Sequence, residues 1–423
     1  MSEPSEHIVI VGAGAAGLMA ARELARAGRR VTILEARERC GGRIRPLPAS
    51  QFGYSADGGA EFVHGEAPVT RALLREAGLS LQEIEGTQWS FDGAGLSREG
   101  RHDPHEAELQ AVLRDLKDDL TAADFLRRHF AGVEYERLRH SIERMVEGYD
   151  AADPERASTL ALREEWMDGG HALQARINGG YGALIDFLVT ECRGYGVAIR
   201  LGCAVSAIEQ EGGAVAVRCA GGDGLACDRV ILTVPLPLLR EIALPASASA
   251  RAAAADDIGF GNVIKVLLRF ARPWWRDHGE DLGDMTFLLS DEAIPVWWTR
   301  YPDQHPLLTG WFGGPRTAEL SHLEPQGLIE AGLDSLAGIF KRSREDIARD
   351  LVASAAINWA HDSFARGAYS WATPRTRAAQ AILARSDGVV LFSGEALYRG
   401  RDMGTVEAAL ASGLETARMI LRR

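Results

Sequence analysis

Nowhere in the 423 residues does an unbroken apolar run reach the roughly 18–20 residues needed to cross a bilayer, so no membrane-spanning helix is expected. A basic surplus is missing too, since 47 Lys and Arg face 59 Asp and Glu, a formal net charge of −12. That deficit excludes nucleic acid as an expected partner, because phosphate binding needs excess cations. It suits a cationic substrate, and it equally suits plain solubility. Cysteine is scarce and odd in number: Cys40, Cys192, Cys203, Cys219 and Cys227, with no C-x-x-C pair. This spacing supplies neither a zinc site nor a disulfide framework, so a reducing compartment is the simpler expectation. The apolar stretch Ile8 to Ala21 imitates a signal-peptide core, yet Glu3 and Glu6 stand before it where basic residues belong. A cytoplasmic protein with two or three domain-sized cores is expected.

The most informative segment present is H-I-V-I-V-G-A-G-A-A-G near the amino terminus. Ile8 to Val11 is a short apolar run ending in glycine, the pattern of a strand buried on both faces of a parallel sheet. Helix formers follow from Ala15 to Ala27, Gly28 sits where a C-cap glycine belongs, and Val31 to Leu34 makes a second strand ending at Glu35. Gly12, Gly14 and Gly17 fit G-x-G-x-x-G. The first permits a tight turn, the second lets a pyrophosphate approach the backbone, and the third packs helix on strand. Gly12, Gly14, Ala16 and Gly17 are therefore candidate cofactor contacts, with free N–H groups at the helix start facing the phosphates. Glu35 can accept both ribose hydroxyls of an adenosine. An acidic residue ending the second strand turns a weak motif into a strong one, without choosing between NAD and FAD.

The run from Glu35 to Arg43, E-A-R-E-R-C-G-G-R, resembles the E-A-R-x-R-x-G-G-R signature of the flavin-dependent amine oxidase superfamily. The resemblance extends from about residue 7 to residue 421, and in motif detail it is nearest to polyamine oxidases. It implies bound FAD, with Ala36, Arg37 and Arg43 added to the cofactor contacts. Arginines at 37 and 43 suit bidentate neutralisation of a pyrophosphate. Asp57-Gly-Gly-Ala-Glu-Phe-Val-His-Gly65 resembles the family turn whose backbone lies against the isoalloxazine, which implicates Gly59, Ala60, Glu61 and Phe62. Val205 matches a backbone contact to adenine. Glu395 closes an F-x-G-E-like strand end, and the resemblance places it near the ribityl or phosphate region. Gly404-Thr405-Val406 opens a helix whose N–H groups face the flavin N1–C2=O edge, where negative charge gathers on reduction.

Between these landmarks, residues from about 103 to 192 read as helices, with Leu109, Leu113, Leu116 and Leu120 at helical spacing. Val197 to Val234 reads as short strands with turns at Gly212-Gly213 and Gly221-Gly222. Asn178-Gly-Gly-Tyr-Gly182 resembles the loop before a helix that returns to the FAD domain. Seven of the 9 tryptophans lie beyond residue 270, as packed core or as walls of an aromatic cavity.

Lys265 lies in a strand between apolar neighbours. By periodicity it faces solvent, but its surroundings match the family strand whose lysine holds a water near flavin N5, which implies a catalytic Lys265. Trp359 and Tyr369 match the family's W…R-G-x-Y-S pattern, implying a flavin contact at Trp359 and one wall of an aromatic cage at Tyr369. Ala368 stands where monoamine oxidases carry a flavin-linking cysteine, so the FAD is expected to be non-covalent. The second cage position is Thr405, which leaves room for a bulkier or more polar amine. Glu61 and Phe62 stand where L-amino-acid oxidases place a carboxylate-binding arginine, which counts against α-amino acids. Val63-His64-Gly65 looks like the I-H-G of animal polyamine oxidases, putting His64 at the active-site mouth, with a turn-capping histidine as the equal alternative.

The expected fold is α/β plus α+β. A discontinuous Rossmann-like FAD domain comprises residues 1–80, 195–255 and 380–423. A mixed helical and antiparallel-sheet substrate domain comprises 81–194 and 256–379. The expected activity is oxidation of a small-molecule polyamine or monoamine to an imine, with dioxygen reduced to hydrogen peroxide. A desaturase or protoporphyrinogen-oxidase-like enzyme and a flavin-bound scaffold without turnover are the alternatives. No metal is expected.

Overall fold

His7–Val11, buried along its whole length, lies at the centre of a five-stranded parallel sheet. The strand order is Ala198–Arg200, Arg30–Leu34, His7–Val11, Arg229–Leu232, Val390–Phe392, and every neighbouring pair is parallel. The computed structural model describes residues 6–98, 103–167, 174–211, 214–279, 281–385 and 388–422. A parallel sheet needs cover on both faces. Ile8 and Ile10 pack under the helices Ala15–Arg26, Gly180–Gly194 and Val406–Leu421. Val9 and Val11 pack on the other face, against an antiparallel meander of Val205–Glu211, Ala214–Cys219 and Gly224–Cys227. The expected α/β unit is present. Of the two expected turns, Gly221-Gly222 follows the second meander strand, and Gly212-Gly213 lies outside the described residues.

Two points in this unit differ from expectation. The helix Gly180–Gly194 falls within the range expected for the substrate domain, but Leu184, Ile185 and Leu188 share a core with Leu18 and Ala21. This helix therefore packs with the first unit, as the resemblance of the Asn178–Gly182 loop implies. Cys203 and Cys219, expected to be free thiols, form a disulfide with Cα atoms 5.6 Å apart. The meander causes this, because its register pairs Val205 with Cys219 and brings the preceding turn alongside.

The second unit is built on a seven-stranded sheet. Its order is Leu351–Asn358, Val263–Phe270, Leu307–Gly313, Val296–Trp298, Met285–Leu289, Thr87–Phe91, Leu96–Ser97. Val263–Phe270 alternates with period two. Ile264, Val266, Leu268 and Phe270 enter one core with the helix Pro325–Phe340, whereas Val263 and Leu267 enter another with Phe52, Ile357 and Trp359. Lys265 shares the second face. The helices Glu106–Asp115, Ala122–His129 and Glu136–Gly148 pack through Leu113, Phe125 and Ile142 into a satellite core. No helix among the described residues is long and apolar enough to cross a membrane.

Two glycines set how closely the layers of the first unit approach. A Cβ at Gly17 would stand 2.0 Å from the Gly12 carbonyl oxygen, and one at Gly413 would stand 2.3 Å from that of Ala16. The first helix is thus pressed between the strand end and the last helix. Gly413→Ala should destabilise the protein by about 1–3 kcal/mol through overpacking, read as a lower denaturant midpoint. An unchanged midpoint would mean that the last helix moves outward at no cost.

Candidate active site

A cavity of about 2290 Å³ runs between the two units. Successive contacts order its wall. At one end the N–H groups of Ala13 and Arg37 donate to Glu35 at 2.7 and 2.9 Å, which fixes this buried carboxylate at the second strand end. The first helix starts at Gly14 with no side-chain cap, and a Cβ at Gly14 would meet nothing within 4 Å. Open space therefore fronts uncapped helix N–H groups, as an anionic ligand requires. Gly12, Ala16, Ala36 and Val205 also line this end. Gly17 does not line it and acts only in packing.

The two arginines expected at the pyrophosphate line the cavity, each already paired. Arg37 pairs with Asp362, and Arg43 donates to Glu395 at 2.7 Å and to the Ala368 carbonyl at 2.8 Å. Glu395 is buried and also accepts the Ser370 hydroxyl, so its side chain orders Arg43 and the strand Tyr369–Trp371. Gly404, Thr405 and Val406 line the wall at the start of the last helix. The Thr405 hydroxyl caps that helix, accepting from the Ala408 N–H at 3.1 Å and donating to the Asp402 carbonyl at 2.6 Å. A dinucleotide fits this donor set: a ribose acceptor at Glu35 and two helix starts opening on one cavity.

Past Gly59, whose Cβ would collide with the Arg43 carbonyl at 1.9 Å, the wall reaches Lys265. The sheet register sets Lys265 between Trp311 and Ile357. Lys265 is 1% exposed, so the solvent-facing expectation from periodicity alone is overturned and the burial implied by the resemblance is observed. Its Nζ donates to the Gly59 carbonyl at 3.1 Å and to Glu61 Oε2 at 2.8 Å. Glu61 also accepts from Arg176 Nε at 2.9 Å and from Trp298 Nε1 at 3.1 Å, with Arg300 at 3.7 Å. Burial alone would push this carboxyl up, but Lys265, Arg176 and Arg300 together pull it down to about 2. Glu61 is ionised at any working pH.

Rings cover the rest of the chamber. Tyr369 and Trp311 stack nearly parallel, 20° apart with centroids 6.3 Å from each other, and Trp298 and Phe62 continue the row. The Tyr369 hydroxyl donates to the Tyr149 carbonyl at 2.6 Å. His64 lines the cavity at the end of the strand Phe62–His64, with Nδ1 3.3 Å from the Tyr149 hydroxyl. Ala60 and Trp359 complete the expected set on the wall. Sequence reasoning did not find Arg176, Arg300 or Tyr149 as site residues, since no motif surrounds them, and it held Trp298 and Trp311 only among seven tryptophans of core or cavity wall. The cross-strand pairing of Trp311 with Lys265 singles that tryptophan out from the others, and it needs the sheet register.

A family model described as flavin containing amine oxidoreductase matches residues 15–421. The chain is 27% identical over 457 residues to lysine-specific histone demethylase 2 of Homo sapiens, covering 98% of this chain and 53% of that protein. It is 30% identical over 308 residues to probable polyamine oxidase 4 of Arabidopsis thaliana, covering 63% and 59%. The chain thus spans between about half and three fifths of the length of these curated relatives. Among solved structures, putrescine oxidase bound to putrescine is similar with a TM-score of 0.81 at 21% identity, covering 99% of this chain and 100% of that one. Cyclohexylamine oxidase from Brevibacterium oxydans IH-35A is similar with a TM-score of 0.81 at 22% identity over 99% and 100%. At such identities the structural likeness speaks to the fold.

Buried Asp57 supplies a test of the charge cluster. Burial, with Glu61 beside it, pushes its carboxyl up from 3.8 to about 7. The native protein then holds a proton that the unfolded chain releases earlier. The stability contributed here falls as pH rises from about 4 to about 7 and stays reduced above that. Asp57→Asn should therefore gain stability relative to the parent at about pH 8 and much less at about pH 4, by urea unfolding of flavin-free protein. An equal difference at the two pH values would show that Asp57 titrates normally.

Proposed function

Because the chain belongs to the flavin containing amine oxidoreductase family, we propose that it binds FAD non-covalently along this cavity and oxidises a small-molecule amine, with dioxygen as acceptor. The observation that carries the reading is continuity. One cavity joins the Gly14 and Glu35 end, fitted to a dinucleotide, to an aromatic chamber entered by a buried lysine. When bound, a flavin would supply two-electron redox chemistry between the amine and dioxygen. The amine C–H and N–H bonds become an imine C=N as two electrons and two protons leave, and dioxygen with the same number becomes hydrogen peroxide. Water hydrolyses the imine.

The chain's own residues bind and orient. Glu35 accepts ribose hydroxyls, and the uncapped helix start at Ala15 and Ala16 receives phosphate. The ring row of Tyr369, Trp311 and Trp298 excludes water and packs on the carbon chain of the amine. Glu147 lines the cavity without an ion-pair partner among the described residues, and burial holds its carboxyl up at about 7, so above that pH it attracts a cation. Lys265 presents an N–H towards the cavity for a water or for reduced oxygen.

Support for a thioether-free flavin comes from the cysteines. Cys40, Cys192 and Cys227 are free, and none lines the cavity. Support for amines over α-amino acids comes from Arg176. It reaches Glu61 and Phe62 from another strand, but its donors go to Glu61 and to the Thr299 and Tyr301 carbonyls, and it does not line the cavity. Arg300 pairs with Glu61 and Asp303 and does not line the cavity either, so neither arginine beside Glu61 and Phe62 is offered to a substrate carboxylate. A polyamine or an apolar monoamine suits this chamber.

Acid precipitation of purified protein should release all FAD into the supernatant, and peroxide should form with amines in preference to the matching α-amino acids. Flavin retained in the pellet contradicts the linkage reading, and a preference for amino acids contradicts the substrate reading. Lys265→Met should retain fold and FAD while slowing reoxidation by dioxygen about ten- to a thousandfold, a barrier change of about 1.4–4 kcal/mol. Stopped-flow mixing of reduced protein with oxygen measures it, and a parental rate would remove Lys265 from the mechanism.

A further inference from the structure

We propose that Glu61 is a positioning residue that keeps Lys265 charged and aims its remaining N–H into the cavity, and that it locks the first tryptophan of the aromatic wall through the same carboxylate. The proposal rests on the reading of the cavity as a flavin amine-oxidation site.

An ammonium has three donors. Two are taken by the Gly59 carbonyl and Glu61, and the third meets no protein acceptor among the described residues, although Lys265 lines the cavity. A four-carbon side chain is flexible, and two fixed acceptors remove that freedom. The strand Val263–Phe270 holds the Lys265 backbone, and the turn carrying Gly59 and Glu61 holds its tip. The carboxylate does a second task, accepting Trp298 Nε1 at 3.1 and 3.2 Å from its two oxygens. That ring lies 5.3 Å from Lys265 Nζ and next to Trp311 in the row that ends at Tyr369. One anion thus sets both the lysine and the substrate wall.

The charges around Lys265 determine the effect of losing Glu61. They are Glu61 and Asp57 on the acidic side and Arg176 and Arg300 on the basic side. With Glu61 neutral, a buried ammonium keeps two guanidinium groups as neighbours and only Asp57 on the acidic side, an arrangement that disfavours positive charge there. A mere structural counter-ion would lower stability without linking the effect to Lys265.

The test uses holoprotein reduced by light rather than by amine, then mixed with oxygen across pH, for the parent, Glu61→Gln, Glu61→Asp, Lys265→Met and the double variant Glu61→Gln/Lys265→Met. Parental reoxidation should change less than about twofold between about pH 6 and about pH 9, whereas Glu61→Gln should start within about threefold of the parent and fall about tenfold across that range. Glu61→Asp should fall less steeply than Glu61→Gln and more steeply than the parent. In the Lys265→Met background, adding Glu61→Gln should change the rate less than about twofold, because the two act through one group. The flavin midpoint potential of Glu61→Gln, measured without turnover, should lie above the parental value near about pH 6, where an anion is gone and the ammonium stays, and lose that excess towards about pH 9.

A flat Glu61→Gln profile, or an equal loss with and without Lys265, overturns the proposal. If Glu61→Gln does not fold, a Glu61→Asp profile identical to the parent overturns it instead. Parent protein that oxidises no amine, yet shows these profiles after photoreduction, sinks the amine reading and leaves Glu61 in place. Amine turnover with a flat Glu61→Gln profile does the reverse. Parent protein that binds no flavin overturns both.

Discussion

A lysine buried within a sheet is tolerable only where its charge is answered, and here a single carboxylate answers it. Lys265 comes from the second unit and Glu61 from the turn that follows the nucleotide-binding segment, so their 2.8 Å contact ties the two units at the cavity they share. Desolvating an unpaired charge would cost several kcal/mol, so the burial of Lys265 depends on Glu61. Arg176 and Arg300 add positive charge, which keeps Glu61 ionised despite its burial. Trp298 is held by the same oxygens. The chamber's chemistry and its shape therefore depend on one buried anion.

The opposite end of the cavity relies on backbone rather than side-chain charge. Arg37 and Arg43 reach the wall with Asp362 and Glu395 already beside them, and Arg39 donates to the Cys40, Gly42 and Ile44 carbonyls. Helix N-termini, which need close layers to be aimed together, are then the unpaired donors that this end offers an anionic ligand. Gly17 and Gly413 permit that approach by leaving no Cβ between the first helix and its neighbours. The disulfide between Cys203 and Cys219 ties the lip of the same end, next to Ala204 and Val205 on the wall.

Local pattern was enough for the parallel sheet's first strands, the glycine turn and the acidic strand end, because each is a short-range requirement of chain geometry. It was also enough, through motif resemblance, to mark Lys265, Tyr369, Trp359 and the helix opening at Thr405. Partnership stayed hidden. Nothing near Arg176, in the strand Gln174–Ile177, announces that it reaches Glu61, which lies 115 positions away. The helix Gly180–Gly194 is announced only by the resemblance of the loop before it, and its packing on Leu18 and Ala21 sets it in the first unit.

Glu61 shows the division most clearly. By sequence it is an acidic residue in a flavin-facing turn, standing where other enzymes carry an arginine, and that alone weighs against a carboxylate substrate. Its role as the counter-charge of Lys265 was set by tertiary structure, because the strand register that turns Lys265 inward involves residues from three distant segments. Sequence by itself determined the chemistry available at each position: a turn that admits phosphate, a carboxylate for ribose, a lysine, a row of rings. Tertiary structure decided which charges meet and which are left facing the cavity, since electrostatic interaction depends on distance and burial, and neither is a property of local sequence.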